Sequence, residues 1–293
     1  MSSPHPELPA LVVLLACPLC SGSLVYAGAH CVCTTCGNTF PVREGKVFFT
    51  RVPDDFVDTG EHGPTRFNQD TWSIWRKNNF LYFKERLSNV PAHSSILDLG
   101  IGPDQFGDLT ERFAQVVGMD FRPYEPVDVV GDITKKLPFK NASFDAIILS
   151  NVLEHIPNTE DALKEARRVL RPGGYIIGTI PFMMRMHQRP YDFNRYTNVK
   201  LELLLREAGF KDVFVESLSS PWDVYMVVQR HFFFYVLGTR FSQNTIMHHI
   251  KKFFAKLAWW LERILFVVFA RLYRAPERNP DFTQGFGFFA RNK

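Results

Sequence analysis

The sequence contains little cysteine, and all of it lies near one end. Five of the 293 residues are cysteine, and none lies beyond Cys36. A disulfide framework spread over the chain is therefore excluded, because such frameworks place cysteines throughout the domains that they hold together. The local cluster instead predicts a metal site in the N-terminal region.

Long apolar runs are absent as well. No stretch of 18 uncharged apolar residues occurs, so no membrane-spanning helix is predicted. The apolar segment from Leu11 to Cys17 is at the short limit for an export signal, and no Lys or Arg precedes it. Export signals carry a basic region before their apolar part, so we expect a cytoplasmic protein.

A strong excess of either charge is also missing. The net charge is +4, with 46% hydrophobic and 22% charged residues. This composition predicts a globular chain rather than a disordered one. So mild a positive charge does not by itself indicate a nucleic-acid partner. The length allows one full α/β domain and a smaller module.

The most informative segment covers residues 95–103. Its apolar run contains Asp98 and leads into Gly100 and Gly102, and Asp120 lies twenty positions beyond Gly100. This order predicts a strand, a tight turn and a helix start, in which glycine lets the backbone approach a ligand closely. An acidic residue at the end of the next strand suits ribose hydroxyls. The spacing therefore predicts a nucleoside ligand.

Four further motifs come after this turn. They are Val116–Asp120, Gly131–Ile133 with Leu137–Phe139, Ser143–Pro157 and Leu170–Tyr175. Together with the glycine turn they resemble the class I S-adenosylmethionine-dependent methyltransferases over roughly residues 95–180. One position departs from the family pattern, because Asp104 stands where many members have a third glycine. A phosphate-binding dinucleotide fold is disfavoured, since Asp98 would bring negative charge to the pyrophosphate.

The resemblance implies how S-adenosylmethionine would be held. The glycine turn would bind its methionine part, Asp120 its ribose, and Asp132 with Ile133 its adenine. Asn151 falls at the end of a later strand, where ligands of such sheets bind. The residues that we expect to bind the cofactor are Asp98, Gly100, Gly102, Asp120, Asp132, Ile133 and Asn151.

The wider pattern predicts an α/β fold. Strands are expected at residues 95–99, 115–120, 127–131, 144–150, 175–180, 211–217 and 285–290, with helices between them. Such alternation favours a mostly parallel sheet covered on both faces. The resemblance implies a Rossmann-like sheet of seven strands whose last strand is antiparallel. We expect a zinc-ribbon module at 1–50, a linker at 51–67, and a methyltransferase domain at 68–293 with a helical insertion at about 218–283.

Four of the cysteines have the spacing of a zinc site. Cys17 and Cys20 form one C-x2-C pair, and Cys33 and Cys36 form a second, with twelve residues between the pairs. Zinc prefers four thiolates in a tetrahedron. Cys31 shares a strand face with Cys33, so an exchange of these two ligands stays open. The module looks like the small zinc ribbons that accompany methyltransferases. We expect a structural role, because roughly forty residues form no stable core without metal or packing.

The segment after the fifth strand carries the candidate catalytic residues. His187, Asp192 and Arg195 resemble a block found in a branch of these methyltransferases, many of them associated with sugar or envelope metabolism. A histidine near a carboxylate suits a general base for a hydroxyl acceptor, and Arg195 suits a phosphate or carboxylate. In the alternative interpretation, Asp192 and Arg195 pair with each other and brace the loop.

The insertion combines aromatic and basic residues. The sequence from Ile250 to Tyr273 predicts a helix with one apolar stripe. Trp259 and Trp260 lie among basic residues such as Lys256. This combination fits a helix that lies on an anionic membrane surface. The alternative is a helix packed on its own domain or in a dimer.

These features predict an S-adenosylmethionine-dependent methyltransferase with structural zinc. The expected acceptor is an oxygen of a lipid-linked or envelope saccharide, or of a lipid, at the membrane surface. A first alternative is an RNA base methyltransferase, since zinc ribbons also precede ribosomal RNA guanine methyltransferases. Their ribbons commonly end in His, whereas this one ends in Cys36. A second alternative is a scaffold without activity, which would have no need of Asp98 and Asp120.

Overall fold

The structure is a computed structural model that describes residues 5–51, 73–103, 107–232 and 278–293. It also describes six single helical residues, namely Phe253, Phe254, Leu257, Trp260, Leu261 and Ile264. Several predicted features lie outside the described residues: the linker after Arg51, Asp104, and most of the helix in the insertion. The chain divides into two compact units, residues 1–216 with 285–293, and residues 217–284.

The first part of the larger unit contains one helix and four short strands. These are α1 (Leu8–Leu14), β1 (Leu24–Tyr26), β2 (His30–Cys33), β3 (Thr39–Arg43) and β4 (Lys46–Phe48). Successive strands of this group pair antiparallel. Glu44 and Gly45 form the turn between β3 and β4 with φ angles of +51° and +77°, which a type I′ hairpin turn requires at both positions.

The rest of the larger unit alternates strands with helices. Its elements are α2 (Ile74–Leu87), β5 (Ser95–Leu99), α3 (Gly107–Thr110), β6 (Gln115–Asp120), β7 (Val129–Val130), β8 (Phe144–Ser150), α4 (Thr159–Val169), β9 (Leu170–Pro181), α5 (Asn198–Glu207), β10 (Lys211–Ser217) and β11 (Gly285–Arg291). Ser217, the last residue of β10, already belongs to the second unit.

The eleven strands of the described residues form one sheet in the order β1-β2-β3-β4-β7-β6-β5-β8-β9-β11-β10. The strands from β5 onward lie where the sequence predicts strands, and β11 runs antiparallel to β9. The sheet is larger than the seven strands that we expected. The reason is that the first four strands, which we expected to form a ribbon of their own, extend the same sheet.

β4 joins the sheet by pairing in parallel with β7. Val47 is the partner of Val129 in this ladder. The ammonium group of Lys46 supports the joint, because it donates to the carbonyl oxygens of Glu125 and Val127 at 2.8 and 2.9 Å. An exposed strand edge leaves backbone N–H and C=O groups unpaired. The N-terminal strands therefore cover the edge that β7 would otherwise present.

α1 brings the apolar N-terminal segment into the core. Leu11 and Leu15 are buried in the same cluster as Phe139. Leu15 also forms an isolated antiparallel bridge with Phe139, and the Ala16 N–H donates to the carbonyl oxygen of Pro138 at 3.0 Å. The apolar character of this segment is thus explained by its packing against the loop before β8.

The carboxyl ends of the central parallel strands meet at one edge of the sheet. β5, β6 and β8 pair in parallel around β5. Strands buried on both faces are almost continuously apolar, so polar residues are concentrated near the strand ends. Gly100 follows β5, Asp120 ends β6 and Asn151 follows β8. Ligands of open α/β sheets bind at this edge.

The smaller unit contains α6 (Pro221–His231). A capping box starts this helix, because Ser220 Oγ accepts from the Asp223 N–H and Asp223 Oδ2 accepts from the Ser220 N–H. Near the two ends of the unit, Ser219 Oγ lies 3.1 Å from Thr283 Oγ1. Among the described residues, no helix is both long enough and apolar enough to cross a membrane.

Candidate functional site

Two glycines form the turn after β5. Gly100 and Gly102 have φ angles of +76° and +60°, which cost glycine little. The Gly100 N–H donates to the carbonyl oxygen of Met119 at 2.7 Å. A Cβ atom on Gly100 would lie 2.5 Å from Cγ2 of Val152, whereas a Cβ atom on Gly102 would meet no atom within 4 Å. The turn is therefore packed at Gly100 and open at Gly102.

The carboxylate of Asp120 fastens this turn to the end of β6. Its Oδ2 accepts from the Gly102 N–H at 3.0 Å, and its Oδ1 accepts from the Arg122 N–H at 2.9 Å. An ionised carboxylate has about four lone-pair positions for hydrogen bonds. Both oxygens are thus oriented by backbone N–H groups at the ends of β5 and β6.

A cavity of about 440 Å³ opens beside the turn. This is within the usual size of small-molecule sites. Six of the seven residues that we expected to bind the cofactor line the cavity, namely Gly100, Gly102, Asp120, Asp132, Ile133 and Asn151. The seventh, Asp98, is the half-buried fourth residue of β5 and is not part of the lining.

Asn151 and Asp132 are held by local hydrogen bonds. Asn151 has a φ angle of +55°, and its Oδ1 accepts from the indole N–H of Trp75 on α2 at 3.0 Å. Asp132 Oδ1 accepts from both the backbone N–H and the hydroxyl of Thr134, at 2.9 and 2.7 Å. Our sequence prediction did not single out Trp75 as a site residue, since a tryptophan in an apolar helix usually belongs to the hydrophobic core.

Two histidines form another part of the cavity wall. His155 and His187 both line the cavity, and their ring centroids lie 5.1 Å apart at an interplanar angle of 75°. His155 Nδ1 is 2.6 Å from the carbonyl oxygen of Tyr191. Burial lowers the pKa of His155 below its ordinary value. The segment around His187 is therefore fastened onto the turn that carries His155.

Asp192 and Arg195 form a two-point ion pair beside His187. Arg195 Nη1 is 2.5 Å from Asp192 Oδ1, and Nη2 is 2.8 Å from Oδ2. Asp192 Oδ2 also accepts from the His187 N–H at 2.8 Å. Burial would raise the pKa of Asp192, but the hydrogen bonds from Arg195 and from the His187 N–H hold it below its ordinary value. This geometry is that of our alternative interpretation, in which the pair braces the loop.

Glu154 lies behind the two histidines and is fully buried. Its side-chain oxygens have no hydrogen-bond partner from another residue in the described part of the chain. His155 Nε2 is 3.7 Å and His187 Nε2 is 3.9 Å from Glu154 Oε1. Burial raises the pKa of Glu154 to about 8. Our sequence prediction missed this residue; a charged residue directly after a buried strand and its turn was the available signal.

The comparisons agree with this geometry. Residues 97–178 match the family model described as a methyltransferase domain. A probable S-adenosylmethionine-dependent methyltransferase of Mycolicibacterium smegmatis is 27% identical over 177 residues, which are 55% of this chain and 67% of that protein. A ubiquinone/menaquinone biosynthesis C-methyltransferase of Hahella chejuensis is 30% identical over 112 residues, which are 31% of this chain and 44% of that protein. Residues 97–178 therefore carry the sequence pattern of a methyltransferase domain.

Solved structures also resemble the chain at a distance. The crystal structure of an S-adenosylmethionine-dependent methyltransferase from Thermotoga maritima, described as a possible histamine N-methyltransferase, is 17% identical with a TM-score of 0.44. It covers 76% of this chain, and the match covers 94% of that chain. The family match and the relatives support an S-adenosylmethionine-dependent methyltransferase, and they leave its acceptor unspecified.

The cavity of the methyltransferase domain fits S-adenosylmethionine. The open backbone at Gly102 gives room for the amino-acid end of this cofactor. Asp120 offers carboxylate oxygens to the ribose hydroxyls, and Ile133 adds an apolar surface for the adenine. The two hydrogen bonds from Thr134 to the Asp132 side chain both end at Oδ1. Oδ2 is therefore the oxygen that suits the amine group of the adenine.

The four predicted zinc ligands come together before the methyltransferase domain. Cys17 Sγ is 3.7 Å from Cys36 Sγ, and Cys20 Sγ is 3.4 Å from Cys33 Sγ. Sulfurs at 2.3 Å from one tetrahedral ion are about 3.8 Å apart, so this donor set fits zinc. Within the described residues the cluster does not include Cys31, which is buried in the core.

Proposed function

We propose that the chain transfers the methyl group of S-adenosylmethionine to a hydroxyl oxygen of a lipid-linked or envelope saccharide, or of a lipid, at a membrane surface. One observation carries the proposal. The two histidines line the same cavity as the glycine turn and Asp120. An acceptor hydroxyl against His187 would therefore share one cavity with the cofactor.

The main requirement of the reaction is that the protein positions the methyl donor and the acceptor relative to each other. The acceptor oxygen forms a bond to the methyl carbon while the bond from sulfur to that carbon breaks. The sulfur keeps the bonding electrons and becomes a neutral thioether, and the hydroxyl proton leaves. Holding the two reactants in line and away from water accounts for much of the acceleration in such transfers. Gly100, Gly102 and Asp120 would hold the donor.

His187 is the residue that we place against the acceptor hydroxyl. The ordinary pKa of histidine lies near neutral pH, which suits it to take a hydroxyl proton. The carboxylate of Asp192 accepts a hydrogen bond from the backbone N–H of His187, and the guanidinium of Arg195 forms an ion pair with Asp192. We therefore assign Asp192 and Arg195 to positioning His187 rather than to binding a phosphate group of the acceptor.

Exposed apolar side chains support an amphiphilic acceptor. Tyr191 and Phe193 line the cavity and are 45% and 49% exposed. In the smaller unit, the six described residues of the predicted helix at 250–273 are apolar, helical and exposed, with Phe254 at 60% and Trp260 at 55%. The sequence between them contains Lys256 and Arg263, and Lys251 and Lys252 directly precede Phe253. Aromatic side chains interleaved with basic ones suit binding to anionic lipid surfaces.

Two measurements test this proposal. The first is methyl transfer from labelled S-adenosylmethionine into a lipid extract, comparing the wild type with His187→Gln. We expect at least about a hundredfold loss of rate in the variant, as for removal of a general base. His93→Gln, an exposed histidine before β5, is the matched control and should retain the rate. Equal rates in wild type and His187→Gln would refute the assignment of His187.

The second measurement is co-sedimentation with vesicles of anionic or of neutral lipid. We expect binding to the anionic vesicles that weakens when Phe254 and Trp260 are both changed to Glu. Equal vesicle binding by the wild type and by the variant with both changes would refute the membrane contact. Binding of RNA that weakens steeply with salt would favour an RNA acceptor instead.

A further inference from the structure

The group formed by Glu154, His155 and His187 has the composition of a metal site. Each residue offers one ligand atom, and the three atoms lie within 4.8 Å of one another. Two imidazoles and one carboxylate are a ligand set that divalent transition-metal ions accept. The cluster lies in the larger unit, and both histidines line the cavity.

The buried carboxylate points to a ligand that is a cation. Glu154 is 0% exposed, and neither of its oxygens has a hydrogen-bond partner from another described residue. Buried polar groups are normally hydrogen-bonded, and an exception calls for a functional or ligand-based reason. The guanidinium of Arg195 makes its two short contacts with Asp192 and no hydrogen bond to Glu154. An ion between Glu154 and the histidines would give the carboxylate a direct partner.

The backbone holds Glu154 in this buried position. Its carbonyl oxygen accepts from the N–H groups of Phe193 and Asn194 at 2.8 and 3.1 Å. Asn194 Nδ2 donates in addition to the carbonyl oxygen of Ile156 at 2.7 Å. The segment that carries His187 therefore closes over the turn of Glu154 and His155, and the three ligand atoms are brought together by fixed backbone contacts.

The second nitrogen of each histidine has a partner that suits metal binding. His155 Nδ1 is 2.6 Å from the carbonyl oxygen of Tyr191. A proton on Nδ1 that is donated there leaves the Nε2 lone pair for an ion. Metal-binding histidines usually donate their other N–H to a carbonyl or carboxylate in this way.

His187 has the corresponding arrangement with a carboxylate. Its Nδ1 lies 3.5 Å from Asp192 Oδ2. Arg195 Nη2 is 3.4 Å from the same nitrogen, but it also contacts Asp192 Oδ2 at 2.8 Å and the carbonyl oxygen of Arg185 at 3.3 Å. Those two oxygens are the better acceptors for its two protons. Nδ1 of His187 is thus the protonated nitrogen, and Nε2 is the one turned to Glu154.

We propose that Glu154, His155 and His187 bind one divalent transition-metal ion in the wall of the cavity. Ligand atoms at about 2.1 Å from one ion are about 3.0–3.4 Å apart. The observed separations of 3.7 and 3.9 Å to Glu154 Oε1 exceed these values by a few tenths of an ångström, and all three ligand atoms lie within 4.8 Å of one another. Three protein ligands leave a coordination position open. The cavity lies next to it.

The consequence for catalysis rests on the proposed function. A hydroxyl bound to the open position would lose its proton to water more readily, because the charge of the ion stabilises the alkoxide. This refines the role given to His187 above: with the ion bound it is a ligand, and without the ion it is the direct proton acceptor. The methyl transfer itself keeps the same balance of bonds and electrons, since the alkoxide oxygen attacks the methyl carbon and the sulfur keeps the bonding pair.

Cobalt(II) titration of the full chain tests the proposal, using protein that already holds one zinc ion per chain at its cysteines. Zinc binds such a site more tightly than cobalt does, and cobalt on thiolates gives intense charge-transfer absorption that cobalt on imidazole and carboxylate lacks. We expect one further equivalent of cobalt to bind without charge-transfer absorption. Glu154→Gln and His187→Gln should each weaken it at least about tenfold, and His93→Gln should leave it unchanged.

The experiment distinguishes a failure of the proposed metal site from a failure of the proposed acceptor. No cobalt binding, binding with thiolate absorption only, or binding that Glu154→Gln and His187→Gln both leave unchanged would overturn the metal site. Because Glu154 is buried, His187→Gln at the cavity wall provides the variant that leaves the core intact. The affinity for S-adenosylmethionine, measured on the same samples, reports separately on folding and on the donor site. Cobalt binding without any oxygen methylation would refute the proposed acceptor and leave the metal site standing.

Discussion

Asp120 Oδ2 accepts a 3.0 Å hydrogen bond from the backbone N–H of Gly102. The carboxylate at the end of β6 thereby fixes the turn that follows β5. Our sequence prediction assigned the glycine turn to the methionine part of the cofactor and Asp120 to the ribose. In the structure a hydrogen bond joins the two. Removing the carboxylate should therefore loosen the turn as well as remove acceptors for the ribose.

Asp120→Ala is expected to weaken S-adenosylmethionine binding by roughly ten- to a hundredfold. The reason is the loss of hydrogen bonds to a charged group, each worth about 1.5–3 kcal/mol. Calorimetric titration with S-adenosylmethionine and with its demethylated product checks this. Glu125→Ala removes an exposed carboxylate nearby and serves as control. An affinity equal to that of the wild type would show that Asp120 does not contact the cofactor.

Gly100→Ala is expected to destabilise the protein by about 2–5 kcal/mol. The positive φ angle costs a residue with a Cβ about 1–2 kcal/mol, and overpacking against Val152 adds about 1–3 kcal/mol. Gly28→Ala is the matched control, since Gly28 has a φ angle of +75° with no atom within 4 Å of a Cβ. Thermal unfolding of both variants gives the comparison. Equal losses would mean that the contact with Val152 relaxes freely.

Cys33→Ser is expected to remove zinc, and Cys31→Ala is expected to retain it. The four clustered sulfurs include that of Cys33 and not that of Cys31. Measurement of the zinc content of the two purified variants tests this prediction. Since β4 pairs with β7, we also expect zinc loss to lower the unfolding temperature of the larger unit in one transition. A separate early transition would indicate that the first fifty residues unfold independently.

Glu165→Gln is expected to destabilise the protein by about 1–2 kcal/mol at neutral pH. Burial would raise the pKa of Glu165, but hydrogen bonds from Arg168 and from the Leu137 N–H hold it below its ordinary value of 4.5. A lowered folded-state pKa means that the contribution is full well above pH 4.5 and is lost as the pH falls through the folded value.

Denaturant unfolding of wild type and Glu165→Gln at several pH values checks this dependence. The difference between them should shrink below about pH 4.5 and vanish at still lower pH. Glu160→Gln changes an exposed residue of the same helix and should cost little at any pH. A difference that stays constant with pH would show that the effect is one of packing rather than of charge.

The strands and the cofactor side of the cavity could be predicted because their signals are local. β5 and β8 are short apolar runs ended by polar residues, and Gly100 with Asp120 marks a turn and the next strand end. These patterns follow from burial on both faces of a parallel sheet. Most of the predicted cofactor residues therefore line one cavity.

The pairing of β4 with β7 could not be predicted, because it joins residues about eighty positions apart by backbone hydrogen bonds. Val47 and Val129 carry no side-chain signal that selects one partner strand over another. Glu154 was missed for a different reason. A glutamate beside a histidine in a turn is usually solvated, and its burial depends on the segment near Asn194 that folds back over it.

The position of the N-terminal strands has a consequence for any shortened form of the protein. A chain begun after Thr50 would leave β7 as a bare edge, and bare edges recruit strands from other molecules. Such a form should self-associate even with its cofactor residues intact. The segment with the four clustered cysteines is thus expected to prevent self-association through β7, and the outermost strand that it leaves in place, β1, is only three residues long.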